Sequence, residues 1–281
     1  MLPVWYHSLM SRLSSSTAEK HVNAVFTQLP LPDTRVHRRV AAVLKLLRGA
    51  QLAARTMDPV IDHRLAESEG CSRHEGMVVE AVKYTLMYRF GVTPWEHYAE
   101  VAQASIAATL EHESAERMGR PLGRALDVGC GRGVHSAALA RLGWDVVGID
   151  LVRQAVEAAR RAGVKGARFE VADATRLHQA ALGRFDFFLD VGCFQGLDAS
   201  GRLAMGAGVT ALANPGASLL MLAFGPTLLH RLTEGVTRDQ VTSAFPGWRL
   251  LSTEPADTRG LGWPLNRSQP MWYRFGRRDS S

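Results

Sequence analysis

From residue 123 onward the chain reads in two hydrophobic periods. Short apolar runs at 125–128, 146–149, 167–171, 185–189, 218–223, 248–252 and 271–275 have the length and composition of buried strands. Helical patterns at 134–142, 152–162 and 202–213 lie between the earlier runs. Strand, helix and strand repeated at this spacing predicts βαβ units and a mostly parallel sheet. The last two runs follow each other with no long helix between them, so a hairpin at one sheet edge is expected. Upstream, 78–88 and 95–110 read as helices separated by Gly91-Val92-Thr93-Pro94, with Pro94 suited to a first helical turn.

The first 80 residues differ. Residues 11–20 are Ser-rich, and Leu29-Pro30-Leu31-Pro32 breaks the pattern. Between 35 and 56, Val40, Val43, Leu44, Leu46, Leu47 and Leu52 recur at helical spacing, with Arg38, Arg39, Lys45 and Arg48 on the polar side. The expected organisation is a basic extension over 1–76, helical or partly disordered, followed by one domain over 77–281. Within that domain, 77–118 would supply lid helices and 124–281 the core sheet.

Composition fits this division. The chain has 281 residues, 46% of them apolar, enough for one large core with an appendage. Its net charge is +6. Residues 1–56 hold eight Lys/Arg and two Asp/Glu, and the other 225 hold 25 of each. The basic excess therefore describes the extension, as a solvated arm or a partner-binding segment, and says nothing of the main domain's ligand. No apolar run approaches the roughly 18 residues of a membrane helix. The first twenty residues lack the apolar centre of a signal peptide. Cys71, Cys130 and Cys193 form no Cys-x-x-Cys pair, which argues against a disulfide framework and against a metal site. A cytoplasmic protein without a membrane partner is expected.

The decisive stretch is Ala125-Leu126-Asp127-Val128-Gly129-Cys130-Gly131-Arg132-Gly133, ahead of an Ala-rich helix. A buried strand enters a tight turn in which glycines permit unusual backbone angles and close approach of a ligand. A dinucleotide site needs Gly-x-Gly-x-x-Gly, and here the third glycine comes one residue early. Asp127, two residues before the first glycine, would repel a pyrophosphate and suits a ligand carrying an ammonium group. Asp150 ends the second strand run, where ligands of open α/β sheets bind, and could also cap the next helix. Asp173 follows the third run, where an Asp also serves turns. Asp190 ends the fourth and leads into Val191-Gly192-Cys193-Phe194-Gln195.

Asp127-x-Gly129-x-Gly131-x-Gly133, with acidic residues closing the next strands, resembles the first motif of the class I S-adenosylmethionine-dependent methyltransferases. The resemblance spans roughly residues 90–281. It implies an α/β fold with a doubly wound, mostly parallel seven-stranded sheet and an antiparallel edge strand. It also implies S-adenosyl-L-methionine as cofactor. The implied binding residues are Asp127, Gly129, Cys130, Gly131 and Gly133 at the turn, and Asp150 with Leu151 for the ribose. Asp173 and Ala174 would face the adenine, Asp190 would close the methionine end, and Trp95 would come from the lid. Asp190-x-Gly192-Cys193-Phe194 resembles a bacterial subgroup near the thiopurine and small-molecule methyltransferases, with Gln195 where His is more usual.

Methyl transfer from a sulfonium asks mainly for alignment and exclusion of water. A base is needed only when the acceptor must lose a proton. No fixed catalytic set is therefore expected, and Asp190, Gln195 and His135 are the catalytic candidates. Gln195 cannot act as a base. His97 and Tyr98 could belong to the lid, and Trp263 with Pro264 could wall an apolar pocket. No Asn/Asp-Pro-Pro-Tyr follows the fourth strand, which disfavours nucleic-acid bases as acceptors. The expected partner is a small, partly apolar acceptor methylated at O, S or N. The alternatives are a binding protein on this fold, or an RNA or protein methyltransferase recruited through the basic segment.

Overall fold

A computed structural model describes residues 98, 101–117, 122–225, 235–259 and 269–278. The helix expected at 78–88, the extension over 1–76, and Trp95, His97, Trp263 and Pro264 lie outside these residues. The described elements are α1 (Gln103–Ala115), β1 (Arg124–Val128), α2 (Val134–Leu142), β2 (Asp145–Asp150), α3 (Arg153–Arg161), β3 (Ala167–Val171), β4 (Phe185–Val191), α4 (Ala199–Leu212), β5 (Ala213–Phe224), α5 (Arg238–Ser243), β6 (Trp248–Pro255) and β7 (Pro270–Arg277).

The strands form one sheet in the order β3-β2-β1-β4-β5-β7-β6. β1 to β5 pair in parallel, and β7 runs antiparallel to both β5 and β6. This is the mixed sheet that the strand pattern predicts, with the last strand inserted beside β5. Strand alternation feeds two cores. Leu219, Met221 and Ala223 of β5 join Met205 and Val209 of α4 and Val241 of α5. Leu220, Leu222 and Phe224 face the other way, with Ile106 and Leu110 of α1 and Leu139 of α2. Burial on both faces explains why these strands read as continuous apolar runs.

Two helices differ from the periodicity. α1 continues past Leu110 to Ala115, because Glu113 extends the buried face. Its carboxylate accepts from Ser218 Oγ at 2.7 Å and from Arg274 Nε at 2.5 Å. A buried ion pair thus takes the place of an apolar residue. α4 begins at Ala199 instead of 202, because the Asp198 side chain caps it by accepting from Gly201 N–H at 2.7 Å. Gly206 brings α4 against the α5 end, where a Cβ would stand 1.9 Å from the Ala244 carbonyl oxygen.

β1 and β4 are adjacent, yet the chain leaves them toward opposite edges of the sheet. A crevice opens above such a switch point, at the carboxyl ends of the strands.

Candidate active site

The turn after β1 carries φ +73° at Gly129, +54° at Gly131 and +80° at Gly133. A side chain at Gly129 would also collide with Cys193, whose Cβ lies 2.7 Å from the Cβ position. Glycine is therefore required there both for backbone angle and for contact between the β1 and β4 ends. Gly133 is the left-handed N-cap of α2. The turn leaves an uncovered backbone floor before a helix N-terminus, which suits an anionic ligand group.

Acidic groups surround this turn. Asp127 is buried on β1 and accepts from Ser136 Oγ at 2.5 Å. Asp150, half-buried at the end of β2, accepts from Gly131 N–H at 2.9 Å and Val152 N–H at 2.8 Å. It thereby ties the glycine turn to α3, and each oxygen keeps a second lone pair. Asp190 is fully buried at the end of β4, its oxygens accepting from Cys193 and Phe194 N–H at 2.9 Å each. No ion pair among the described residues involves these three carboxylates. Burial pushes Asp127 up to about 7, against the opposing Ser136 hydrogen bond, with Asp150 adding to the rise. Burial likewise pushes Asp190 up to about 7, against the backbone N–H bonds and with a contribution from Asp127. Asp150 is also raised by burial. A cation placed here would relieve that cost.

Asp173 follows β3. Its Oδ1 accepts from Thr175 N–H and Thr175 Oγ1, both at 2.8 Å. Its Oδ2 is buried with no hydrogen-bond partner, and Arg176 Nε stands 3.9 Å away. Ala174 opens the short 3₁₀ turn Ala174–Gln179 beside it. Such an orphaned acceptor needs a donor from outside the described residues. Leu151 is half-buried between Asp150 and α3.

Across the strand ends, Asp173, Asp150, the glycine turn and Asp190 stand in the order β3, β2, β1, β4. This set fits S-adenosylmethionine. Asp173 Oδ2 can accept an exocyclic amine, Asp150 can accept ribose hydroxyls, and the carboxylates beneath the turn complement an ammonium and a sulfonium. When bound, the cofactor supplies an electrophilic methyl group. The protein's part is to hold, align and exclude water.

Residues 125–216 match a family model described as a methyltransferase domain. An uncharacterized methyltransferase of Schizosaccharomyces pombe is 30% identical over 105 residues, covering 36% of this chain and 72% of the relative. The chain belongs to the class I S-adenosylmethionine-dependent methyltransferases. Ubiquinone biosynthesis O-methyltransferase of Psychrobacter arcticus is 47% identical over 49 residues, 17% of this chain and 19% of the relative. Among solved structures, magnesium protoporphyrin IX methyltransferase from Synechocystis with bound S-adenosylhomocysteine aligns with a TM-score of 0.56. It is 16% identical and covers 71% of this chain and all of that one. N-methyltransferase NodS from Bradyrhizobium japonicum aligns at 0.53, with 14% identity, 63% of this chain and 87% of that one. S-adenosylmethionine is the methyltransferase's cofactor.

The remaining candidates occupy other parts of this methyltransferase. His135 is in the first turn of α2, half-buried, and burial lowers it to about 4, so it is neutral near pH 7. Cys130 lies within the turn, and burial raises both its thiol and that of Cys193. Gln195 spans from the β4 end to β5, where its Oε1 accepts from Phe224 N–H at 2.7 Å. Tyr98 packs edge-on against Phe224 with ring centroids 5.2 Å apart. Two partners escaped the sequence reading. Ser136 sits on a helix, where serine carries no signal of its own. Phe224 meets Gln195 across 29 residues, a contact that no local pattern encodes. Among the described residues no cluster of His, Cys, Asp and Glu could hold a metal ion, and no helix is long and apolar enough to cross a membrane.

Proposed function

We propose that this methyltransferase moves a methyl group from S-adenosylmethionine to an O, S or N atom of a small, partly apolar acceptor. The observation that carries this reading is the change of chemistry along the crevice. Its β1–β2 side and floor hold the buried Asp127 and Asp190 and the half-buried Asp150, with no ion pair to them among the described residues. Its β5 side carries the amide of Gln195 on Phe224 N–H, with the Phe224 and Tyr98 rings buried in the adjoining apolar core. The first side suits the cationic part of the cofactor, and the second a small, partly apolar acceptor. In this reading Asp127, Gly129, Cys130, Gly131 and Gly133 contribute the turn, Asp150 and Leu151 the ribose contacts, and Asp173 and Ala174 the adenine contacts. Trp95, outside the described residues, is assigned to the cofactor as well. Asp190 holds the 193–194 backbone and acts through it.

Titration calorimetry tests the cofactor half first. S-adenosylhomocysteine is expected to bind with micromolar affinity and NAD not to bind. Asp150→Ala should weaken S-adenosylhomocysteine about a hundredfold, the scale of two lost hydrogen bonds to a charged group. Unchanged affinity in Asp150→Ala would overturn the ribose assignment.

A further inference from the structure

We propose that Gln195 is an acceptor-positioning residue whose amide N–H groups bind an oxygen of the methyl acceptor. The site then selects small acceptors that carry a carboxylate or another unprotonated oxygen near the atom to be methylated. This rests on the methyl-transfer reading above and narrows its substrate class.

Gln195 lies in the single 3₁₀ turn Phe194–Gly196 that follows β4. That turn is fixed from two sides. Asp190 takes the N–H groups of Cys193 and Phe194. Arg202 donates to the carbonyl of Phe194 at 3.3 Å and to that of Gln195 at 3.0 Å. The side chain then crosses to β5. A backbone N–H can only donate, so the amide atom 2.7 Å from Phe224 N must be the oxygen. This contact decides which end of the amide remains. Nε2 lies on the side of Gly192, where even a Cβ would stay 3.8 Å away. Among the described residues it has no hydrogen-bond partner, and Gln195 is half-buried.

A glutamine serving only the fold would have both ends of its amide engaged. Here one end is committed and the other is a free pair of donors. The committed bond also polarises the amide and strengthens those donors. The position matters as much as the polarity. Across the sheet the cofactor residues occupy β3, β2, β1 and β4, and Gln195 bridges β4 to β5, beyond the methionine end. Tyr98, against Phe224 on the same side, is pushed up to about 12 by burial, with the Asp257 charge adding to the rise, so its hydroxyl stays protonated. The Tyr98 hydroxyl is directed to the Asp257 carbonyl, 3.5 Å away, so the donors assigned to the acceptor at this end are the Gln195 amide N–H groups alone.

The test is calorimetry on the full chain saturated with S-adenosylhomocysteine. Benzoate and 2-mercaptobenzoate are the probes, and benzyl alcohol and benzenethiol are ring-matched controls. The carboxylates should bind at least about tenfold more tightly than their controls, the scale of a hydrogen bond to a charged group. Gln195→Glu keeps an acceptor for Phe224 N–H but presents an anion, and Gln195→Met keeps the length without a donor. Both should lose the preference while S-adenosylhomocysteine binding stays as in the wild type; Gln195→Glu should melt near the wild type, and Gln195→Met, which strips Phe224 N–H of its acceptor, a few degrees lower. Equal affinity for probes and controls, no probe binding to the complex, or a preference retained in both variants would each overturn the proposal and leave cofactor binding intact. Failure of the wild type to bind S-adenosylhomocysteine would instead remove the methyl-transfer reading itself. If neither variant folds, the wild-type preference alone decides.

Discussion

Asp127 on β1 and Asp190 at the end of β4 are carboxylates held away from water beside the glycine turn. Burial raises both to about 7, so near neutral pH each is partly protonated in the free protein. Binding a sulfonium and an ammonium favours the charged forms and releases those protons. Affinity for S-adenosylmethionine should therefore fall about tenfold or more between pH 8 and pH 6, measured by calorimetry in buffers of different ionisation heat. The stability of the free protein should move the other way. A carboxyl raised in the folded state contributes stability that is present below its unfolded value of about 4 and is lost as pH rises through about 7. The melting temperature of the free protein should drop from pH 6 to pH 8, while the increment from S-adenosylhomocysteine grows. At this scale the sequence singled out Asp127 by its place two residues before the glycine turn, and Asp150 and Asp173 by their places at or just after the end of an apolar run. It was silent on Ser136 and on the orientation of the Gln195 amide, which depend on neighbours far along the chain or on a helix face.

Among the elements, α1 shows how an appended helix is fixed to the sheet. Ile106 and Leu110 enter the core, and Glu113 continues the same face into an ion pair with Arg274 and a hydrogen bond from Ser218. Farther on, Ser114 Oγ accepts from Trp144 Nε1 at 3.0 Å, and the Arg117 guanidinium lies 5.1 Å from the Trp144 ring centroid. Glu113→Ala leaves Ser218 without its acceptor and Arg274 with Glu116, 3.5 Å away, and should cost about 2 kcal/mol in urea unfolding, the scale of a lost charge-assisted hydrogen bond. Tyr98 precedes α1 and packs on Phe224, so the same variant should also weaken acceptor probes more than S-adenosylhomocysteine. The helix appeared to end at Leu110 in the sequence because periodicity counts only apolar residues. The Asp198 cap of α4 was legible in principle, since an Asp before Ala199-Ser200-Gly201 is a capping signal.

For the whole molecule, the sheet order places the two halves of the chemistry side by side. In the proposed reading, residues of β1, β2 and β3 hold the cofactor and the ends of β4 and β5 face the acceptor, in the order the sheet sets. Residues 1–76 carry the basic excess, and we propose that they are an appendage to the chemistry. A chain of residues 77–281 is expected to bind S-adenosylhomocysteine with the affinity of the full chain. A loss beyond threefold would assign the extension a part in the site. The sequence by itself determined the seven strands, the glycine turn and the acidic residues that follow the strands. These are local features, set by hydrophobic period, by backbone angles that glycine alone tolerates, and by where a strand stops. Only the tertiary structure decided that β7 inserts between β5 and β6. It also decided that Asp190 spends its oxygens on its own turn, that Asp173 keeps one acceptor unmet, and that Gln195 turns its donors outward. Each of those depends on a partner brought close by folding, and a partner's distance is not encoded in any short stretch of chain.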